Sequence, residues 1–318
     1  MHTYDIVGID LPCVDFALNV PAMPKPNSSL HFQNFSIQGG NKVSTGIVAA
    51  ARLGAKCAIL GAVGDERFGQ FCIDDFVRHG IEPMLCVRQD ETTALAFVLS
   101  DDETKGRSIV YHPGTCRHME IDEIPAGVLE NTKYFYLAWI DDTILYAIER
   151  AKACGARVFV DADKPTNALL QNLNRYDIFV ASEFVYRAMF SDDNYEENCR
   201  RVLEMGPEIV VFTFGADGCC GMERNGAFFR QNAFHVDVTD TVGAGDVFHG
   251  AFLAGLIRGM TVPEAARFSS AVSAIKCTRI GGRAGIPDYD TAIRFMQTGQ
   301  IDYTQIDARV RFYEKGFC

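Results

Sequence analysis

The chain has 318 residues, 48% hydrophobic and 22% charged, a balance that fits a folded globular protein and excludes disorder. Asp and Glu outnumber Lys and Arg by 41 to 30, the formal net charge is -11, and no dense basic run appears, so nucleic acid is not an expected partner. No run of about 18 apolar residues is present, and the first residues lack the basic flank of a signal peptide, so a cytoplasmic protein without a membrane partner is expected.

Tyr4–Gly8 reads as a short opening strand. Pro12, Pro21, Pro24 and Pro26 punctuate the next stretch, in which Val14–Val20 is extended and Leu30–Ile37 alternates with period two. Thr45–Leu53 is an Ala-rich helix closed by Gly54, Cys57–Leu60 a buried strand, and Phe68–Arg78 a helix stopped by Gly80. Thr93–Ser100 and Arg107–His112 read as a hairpin joined by the polar turn from Asp101 to Gly106. From Tyr134 the rhythm becomes strand, helix, strand. Tyr134–Leu137, Val158–Asp161, Ile178–Ala181 and Ile209–Phe214 are the apolar runs, with helices such as Ile144–Cys154 and Tyr195–Met205 between them. That pattern predicts a mostly parallel sheet with helices on both faces. Val247–Leu256 and Pro263–Cys277 are two long late helices. The alternating segments, approximately 12–38 and 93–114, predict a small β-sheet lid over one large α/β domain spanning 1–318. The alternative is that they extend the main sheet.

The stretch Asp240-Thr241-Val242-Gly243-Ala244-Gly245-Asp246 precedes an apolar helix. With side chains almost absent there, the amides of Gly243, Ala244 and Gly245 can approach an anion at a helix N-terminus. Asp246 cannot pair with that anion. It suits the removal of a proton from a hydroxyl that attacks a bound phosphoryl group. Asp240 could hold a cation or cap the turn. The alternative is an ordinary glycine turn before an Asp-capped helix. The stretch matches neither GxGxxG nor GxxxxGKS, and a dinucleotide fingerprint belongs after the first strand, which disfavours a dehydrogenase.

DTVGAGDVFHGAF resembles the C-terminal signature of the ribokinase-like, or PfkB-type, carbohydrate kinases. A second set agrees: Gly39-Gly40-Asn41, then Ala49-Ala50-Ala51-Arg52-Leu53-Gly54, then Gly61-Ala62-Val63-Gly64-Asp65 and Gly69. The resemblance covers essentially the whole chain. It implies a doubly wound α/β domain with a β-sheet lid that often mediates homodimers, and transfer of the γ-phosphoryl group of ATP to a sugar hydroxyl. It implies Asp246 as catalytic base and Gly243, Ala244 and Gly245 as anion hole. It makes Asp15, Gly40, Asn41 and Ser44 sugar-binding residues, with Asp10 competing for the role of Asp15. Ser182, Thr213, Gly215, Gly218, Asp240 and Thr241 join Gly243 and Gly245 at the nucleotide. ATP and Mg2+ are the implied cofactors. Glu183 is the candidate for Mg2+ through water, because Ser182-Glu183-Phe184-Val185 departs from the family's Asn-x-x-Glu. A monovalent cation such as K+ is a further candidate.

The closing stretch from Ile275 to Pro287 and the segment Asp246-Val247-Phe248-His249-Gly250 look most similar to the sulfofructose kinase branch. The cations that branch offers to an acidic sugar are absent. The two regions read Pro26-Asn27-Ser28-Ser29-Leu30 and Ala138-Trp139-Ile140-Asp141-Asp142. A neutral monosaccharide is therefore expected, with His31, His112 and Lys164 as the cations to consider otherwise. Alternatives are a nucleoside kinase, using lid aromatics among Phe16, Phe32, Phe35 and Phe97, a kinase of a phosphorylated or sulfonated sugar, and a non-catalytic sensor. The histidines lack zinc-site spacing, and His249 is expected to be structural. Eleven cysteines without CxxC, including the vicinal Cys219-Cys220, fit free thiols.

Overall fold

The opening apolar run forms β1 (Tyr4–Asp10), which lies inside the larger of two sheets because both its faces are buried. At Leu11-Pro12 the chain leaves that sheet and forms β2 (Cys13–Val20), then returns as β3 (Asn34–Gly40) straight into helix α1 (Lys42–Arg52). β4 (Cys57–Gly64), α2 (Arg67–Arg78) and β5 (Glu82–Arg88) follow, then β6 (Ala94–Asp101) and β7 (Arg107–His112). The second half contributes β8 (Thr132–Leu137), α3 (Asp142–Ala153), β9 (Arg157–Ala162), α4 (Asn167–Gln171), β10 (Ile178–Ser182), α5 (Glu183–Met189), α6 (Tyr195–Glu204) and β11 (Ile209–Thr213). β12 (Cys219–Glu223), β13 (Phe229–Gln231), α7 (Ala244–Ile257), α8 (Val262–Cys277), α9 (Tyr289–Thr298) and α10 (Thr304–Glu314) complete the chain. The computed structural model describes residues 2–104 and 106–316.

The large sheet has nine strands in the order β13-β12-β11-β10-β9-β8-β1-β4-β5. Its strands pair in parallel except at the β11-β12-β13 edge. Successive residues alternate between two cores. Ile178 and Val180 face the layer of α1, α7 and α8, with Val48, Phe252 and Phe268. Phe179 and Ala181 face α3 to α6, with Ile148, Cys199 and Val202. The small sheet is β3-β2-β6-β7, with β2 antiparallel to β3 and parallel to β6. The α/β class and the separate lid sheet therefore match expectation, and the segments do not extend the main sheet. No helix of the described residues is long and apolar enough to cross a membrane.

Several boundaries differ from expectation. The strand expected at Leu30–Ile37 lies at Asn34–Gly40. Pairing with β2 ends at Asn19 opposite Asn34, just before Pro21 ends the partner strand. Leu30 and Phe32 consequently have no strand opposite and are exposed. β5 was not anticipated, and it contains Pro83. It survives at the sheet edge, where one row of amides needs no partner. The β12-β13 hairpin and helices α5, α9 and α10 were also not anticipated. Lys105, in the turn between β6 and β7, lies outside the described residues. Cys219 and Cys220 are buried and unbridged.

Helix α7 reaches its place through glycine. A Cβ on Gly250 would overlap the Gly46 carbonyl, and one on Gly46 would overlap the Tyr136 hydroxyl. The two backbones therefore approach where larger residues would hold them apart. This contact fixes the N-terminus of α7 above the strand ends of the large sheet.

Candidate active site

Gly243 caps α7 with φ 72, a left-handed conformation that glycine adopts without strain. A Cβ there would also stand 2.9 Å from the Gly282 Cα. The Val242 amide donates to Asp240 Oδ1 at 2.9 Å, and the Ala244 amide to the Thr241 carbonyl at 3.2 Å. Gly245 and Asp246 follow at the second and third helical positions, where amides have no partner inside the helix. A Cβ on Gly245 would meet nothing within 4 Å, because the residue faces an open cleft.

That cleft has a volume of about 500 Å³ and collects Ser182, Glu183, Thr213, Gly215, Gly218, Thr241, Ala244 and Gly245 in its wall. The strand ends β10 and β11 carry Ser182 and Thr213. Ser182 caps α5 and donates to the Asp163 carbonyl at 2.7 Å. Gly218, with φ 86, has room for no side chain against the Gln231 carbonyl. Glu183 sits on the exposed rim, 3.5 Å from Arg187. Arg107, at the start of β7, donates to the Thr241 hydroxyl at 3.1 Å and brings a cation from the lid to the cleft. Nothing in the local sequence marks Arg107; only the packing of the lid hairpin on the turn does.

Asp240 does not face the cleft. It is buried, and its carboxylate accepts from the amides of Val242 and Gly281 and from the Ser100 hydroxyl, at 2.9, 2.7 and 2.8 Å. Of the two roles open to it, capping the turn is the one the structure shows.

Asp246 is half-buried. Withdrawal from solvent raises its pKa well above the carboxylate range, and Asp161, Asp163 and Asp10 push the same way while Lys42 opposes them. Lys42 opens α1 and forms an ion pair with Asp163 at 3.0 Å. Burial lowers its pKa, but Asp161, Asp163 and Asp246 more than reverse that. Sequence reading passed over Lys42, although it directly follows Gly39-Gly40-Asn41. Asp161, at the end of β9, lies 3.0 Å from His249 Nδ1 and accepts from the Tyr136 hydroxyl at 3.3 Å. Burial would raise its pKa, yet His249, Lys42 and Tyr136 leave it lowered. His249 is thus buried beneath the base, one turn along α7.

The sugar-side residues divide into two groups. Asp10 accepts from the Leu11 amide at 2.9 Å and from the Ser44 amide at 2.7 Å, so it ties β1 to the first turn of α1. Burial raises its pKa to about 6 against those hydrogen bonds. Asp15 is buried on β2, accepts from the Cys13 thiol at 3.1 Å, and uses no main-chain amide. Burial raises its pKa, Cys13 and Arg283 oppose, and Asp240 adds to the rise. Its carboxylate lies on Gly40, where a Cβ would overlap it. Asn41, at φ 72, accepts from the Lys42 amide at 3.0 Å and donates to the Leu11 carbonyl at 2.6 Å. Its amide therefore shapes the loop, and Ser44 is fully buried on α1.

His31, His112 and Lys164 are exposed, and Asp141 is taken up by the Ile144 amide and the Trp139 indole. Among the described residues no group of three or more His, Cys, Asp or Glu could hold a metal ion.

The model of the pfkB family of carbohydrate kinases matches residues 3–289. The chain is 26% identical to the 5-dehydro-2-deoxygluconokinase of Clostridium perfringens over 330 residues, covering 96% of each protein. It is 28% identical to the ribokinase of Haemophilus influenzae over 293 residues, covering 89% of this chain and 95% of that one. In fold it is similar to an E. coli structure in complex with ATP and Mg2+, with TM-score 0.81 and 21% identity over 92% of this chain and 99% of that chain.

Proposed function

The chain belongs to the pfkB family of carbohydrate kinases, and we propose that it moves the γ-phosphoryl group of ATP onto a hydroxyl of a neutral monosaccharide. The observation that carries this reading is Asp246 at the third position of α7, beside a glycine turn that opens into the cleft. The attacking hydroxyl gives its proton to the Asp246 carboxylate as its oxygen bonds to phosphorus and the bond to ADP breaks. The amides of Gly243 and Gly245 and the dipole of α7 receive the charge on the phosphoryl oxygens, with the Ala244 amide shared with the Thr241 carbonyl. Ser182, Thr213, Gly215, Gly218 and Thr241 line the place for the nucleotide, and Arg107 adds a guanidinium at the same wall.

Mg2+ fits this wall as a companion of the nucleotide and not as a resident ion. Its supports would be phosphate oxygens, water and Glu183 at the rim. When bound it would neutralise phosphate charge. Asp15, whose carboxylate no main-chain group occupies, accepts two sugar hydroxyls over the bare Cα of Gly40. Asp10 is the less suitable acceptor because both its oxygens already hold amides.

Neutral substrate follows from charge. Asp10, Asp15, Asp161, Asp163 and Asp246 share this region with Lys42 and Arg283, cations that Asp163 and Asp75 already pair. A kinase of an acidic sugar is the second reading. Lys42 favours it, and so does the acid named for the relative from C. perfringens. The similarity of the C-terminal motifs to the sulfofructose kinase branch belongs to that reading. Phe16 stacks on Phe97 at 5.0 Å and meets Phe68 edge-on at 6.0 Å, so it is engaged in the lid and not free for a nucleobase. Phe97, Ile109, Val110 and Tyr111 are exposed on β6 and β7, an apolar edge that a second lid would cover in a homodimer. An ADP-release screen over hexoses, pentoses, nucleosides, inositols and their acidic derivatives tests the proposal. Turnover of no polyol or nucleoside would refute it.

A further inference from the structure

Lys276 ends α8, and none of its side chain reaches solvent. Its ammonium donates to the main-chain carbonyl of Asp240 at 2.9 Å. The Asp240 carboxylate is taken by Val242, Gly281 and Ser100, so a carbonyl dipole holds this ammonium instead of a carboxylate. Burying such a charge is costly unless it is paired or well hydrogen-bonded, and the carbonyl that holds it belongs to the turn before α7. Asp240 opens the turn that ends in the Gly243 cap of α7, and the amides of Thr239 and Asp240 both donate to the Cys277 carbonyl beside Lys276. The charge is therefore fixed behind the anion-hole turn.

A monovalent cation acting on that turn would need its outward carbonyls, since K+ is held by such oxygens. The carbonyl of Asp240 is occupied by an ammonium of the chain itself, so the residues do not fit a free K+ there. We propose that Lys276 is a built-in monovalent cation: it positions the anion-hole turn and makes this kinase independent of K+. The inference rests on the kinase reading, and its test includes one arm that needs no turnover.

That arm compares melting temperatures in KCl and in tetramethylammonium chloride at equal ionic strength. K+ should leave the wild type unmoved and raise Lys276→Ala, because the emptied site binds the ion only in the folded state. A rise in the wild type, or none in the variant, would overturn the proposal. In the turnover arm the wild type should run equally in both salts. Lys276→Ala should be slower in tetramethylammonium by on the order of 10- to 100-fold, and K+ or NH4+ should restore it where Li+ does not. Wild-type activation by K+, or failure of every cation to rescue a folded Lys276→Ala, would overturn it. Should Lys276→Ala not fold in either salt, Lys276→Met decides. It keeps the stem, and it should be folded and slow in every salt; wild-type speed would overturn the proposal. Absence of turnover by the wild type in all salts would count against the kinase reading and leave the melting comparison to decide this one.

Discussion

The carboxylate of Asp15 rests on the Cα of Gly40, across the β2-β3 pair, so closely that a methyl group on Gly40 would displace it. Residues that sequence reading gave one role therefore form one piece of geometry. Asp15→Ala should raise the sugar KM strongly, since each charge-assisted hydrogen bond is worth about 1.5–3 kcal/mol. Gly40→Ala should reproduce that rise with the carboxylate still present. ATP affinity should be unchanged in both. Steady-state kinetics with each substrate varied will check this, and a silent Asp15→Ala with a raised KM in Asp10→Ala would show that the roles are reversed.

Gly245→Val separates the anion hole from the fold. A Cβ there meets nothing within 4 Å, so the variant should fold with nearly the wild-type melting temperature. Its branched side chain projects where phosphate must approach, so kcat should fall by about 10²-fold or more. Wild-type kinetics in the folded variant would remove the anion-hole role.

The pH profile of kcat/KM reports the base in the free enzyme. Asp246 must be ionised to act. Its pKa is raised by burial and Asp161, so activity should be present above that raised value and be lost as pH falls through it, at higher pH than an ordinary carboxylate would give. Asp161→Asn removes a neighbouring negative charge and should move the acid limb to lower pH. Lys42→Met removes the opposing ammonium and should move it to higher pH. Displacements of opposite sign would refute the electrostatic account.

Charge in the sugar pocket gives a matched comparison. Desolvating an anion beside a cluster of carboxylates is costly where the nearby cations, Lys42 and Arg283, are already paired. Fructose should exceed fructose 6-phosphate, or another neutral sugar its acidic partner, by at least about 100-fold in kcat/KM. Faster use of the acidic member would make Lys42 the first residue to replace, and would favour the second reading.

Local patterns in the chain carried the glycine turn before α7, the βαβ rhythm and the β6-β7 hairpin, since each depends on neighbours in sequence. What escaped depends on distant partners. Lys42 meets Asp163, and Arg107 meets Thr241, only after the strands are ordered. The side chains of Asp240 and Asn41 hold turns, through Gly281 and Leu11, partners far away in the sequence. Arg283 shows the same limit. It is fully buried, pairs with Asp75 at 2.6 Å and donates to the Gly40 carbonyl at 3.0 Å. It thereby supports the floor beneath Asp15 from the far end of the chain. β5, also not anticipated, tolerates Pro83 because it lies at the sheet edge.

The central claim is that Asp246 takes the hydroxyl proton while the rest of the cleft holds the nucleotide. The direct measurement is ATP binding by calorimetry and turnover by ADP release on the same preparation of Asp246→Asn. An amide cannot accept that proton, so kcat should fall by about 10²–10⁴-fold while the ATP Kd stays within about twofold of wild type. A variant that keeps more than about half of the wild-type kcat would contradict the account, because general-base catalysis contributes far more than that factor.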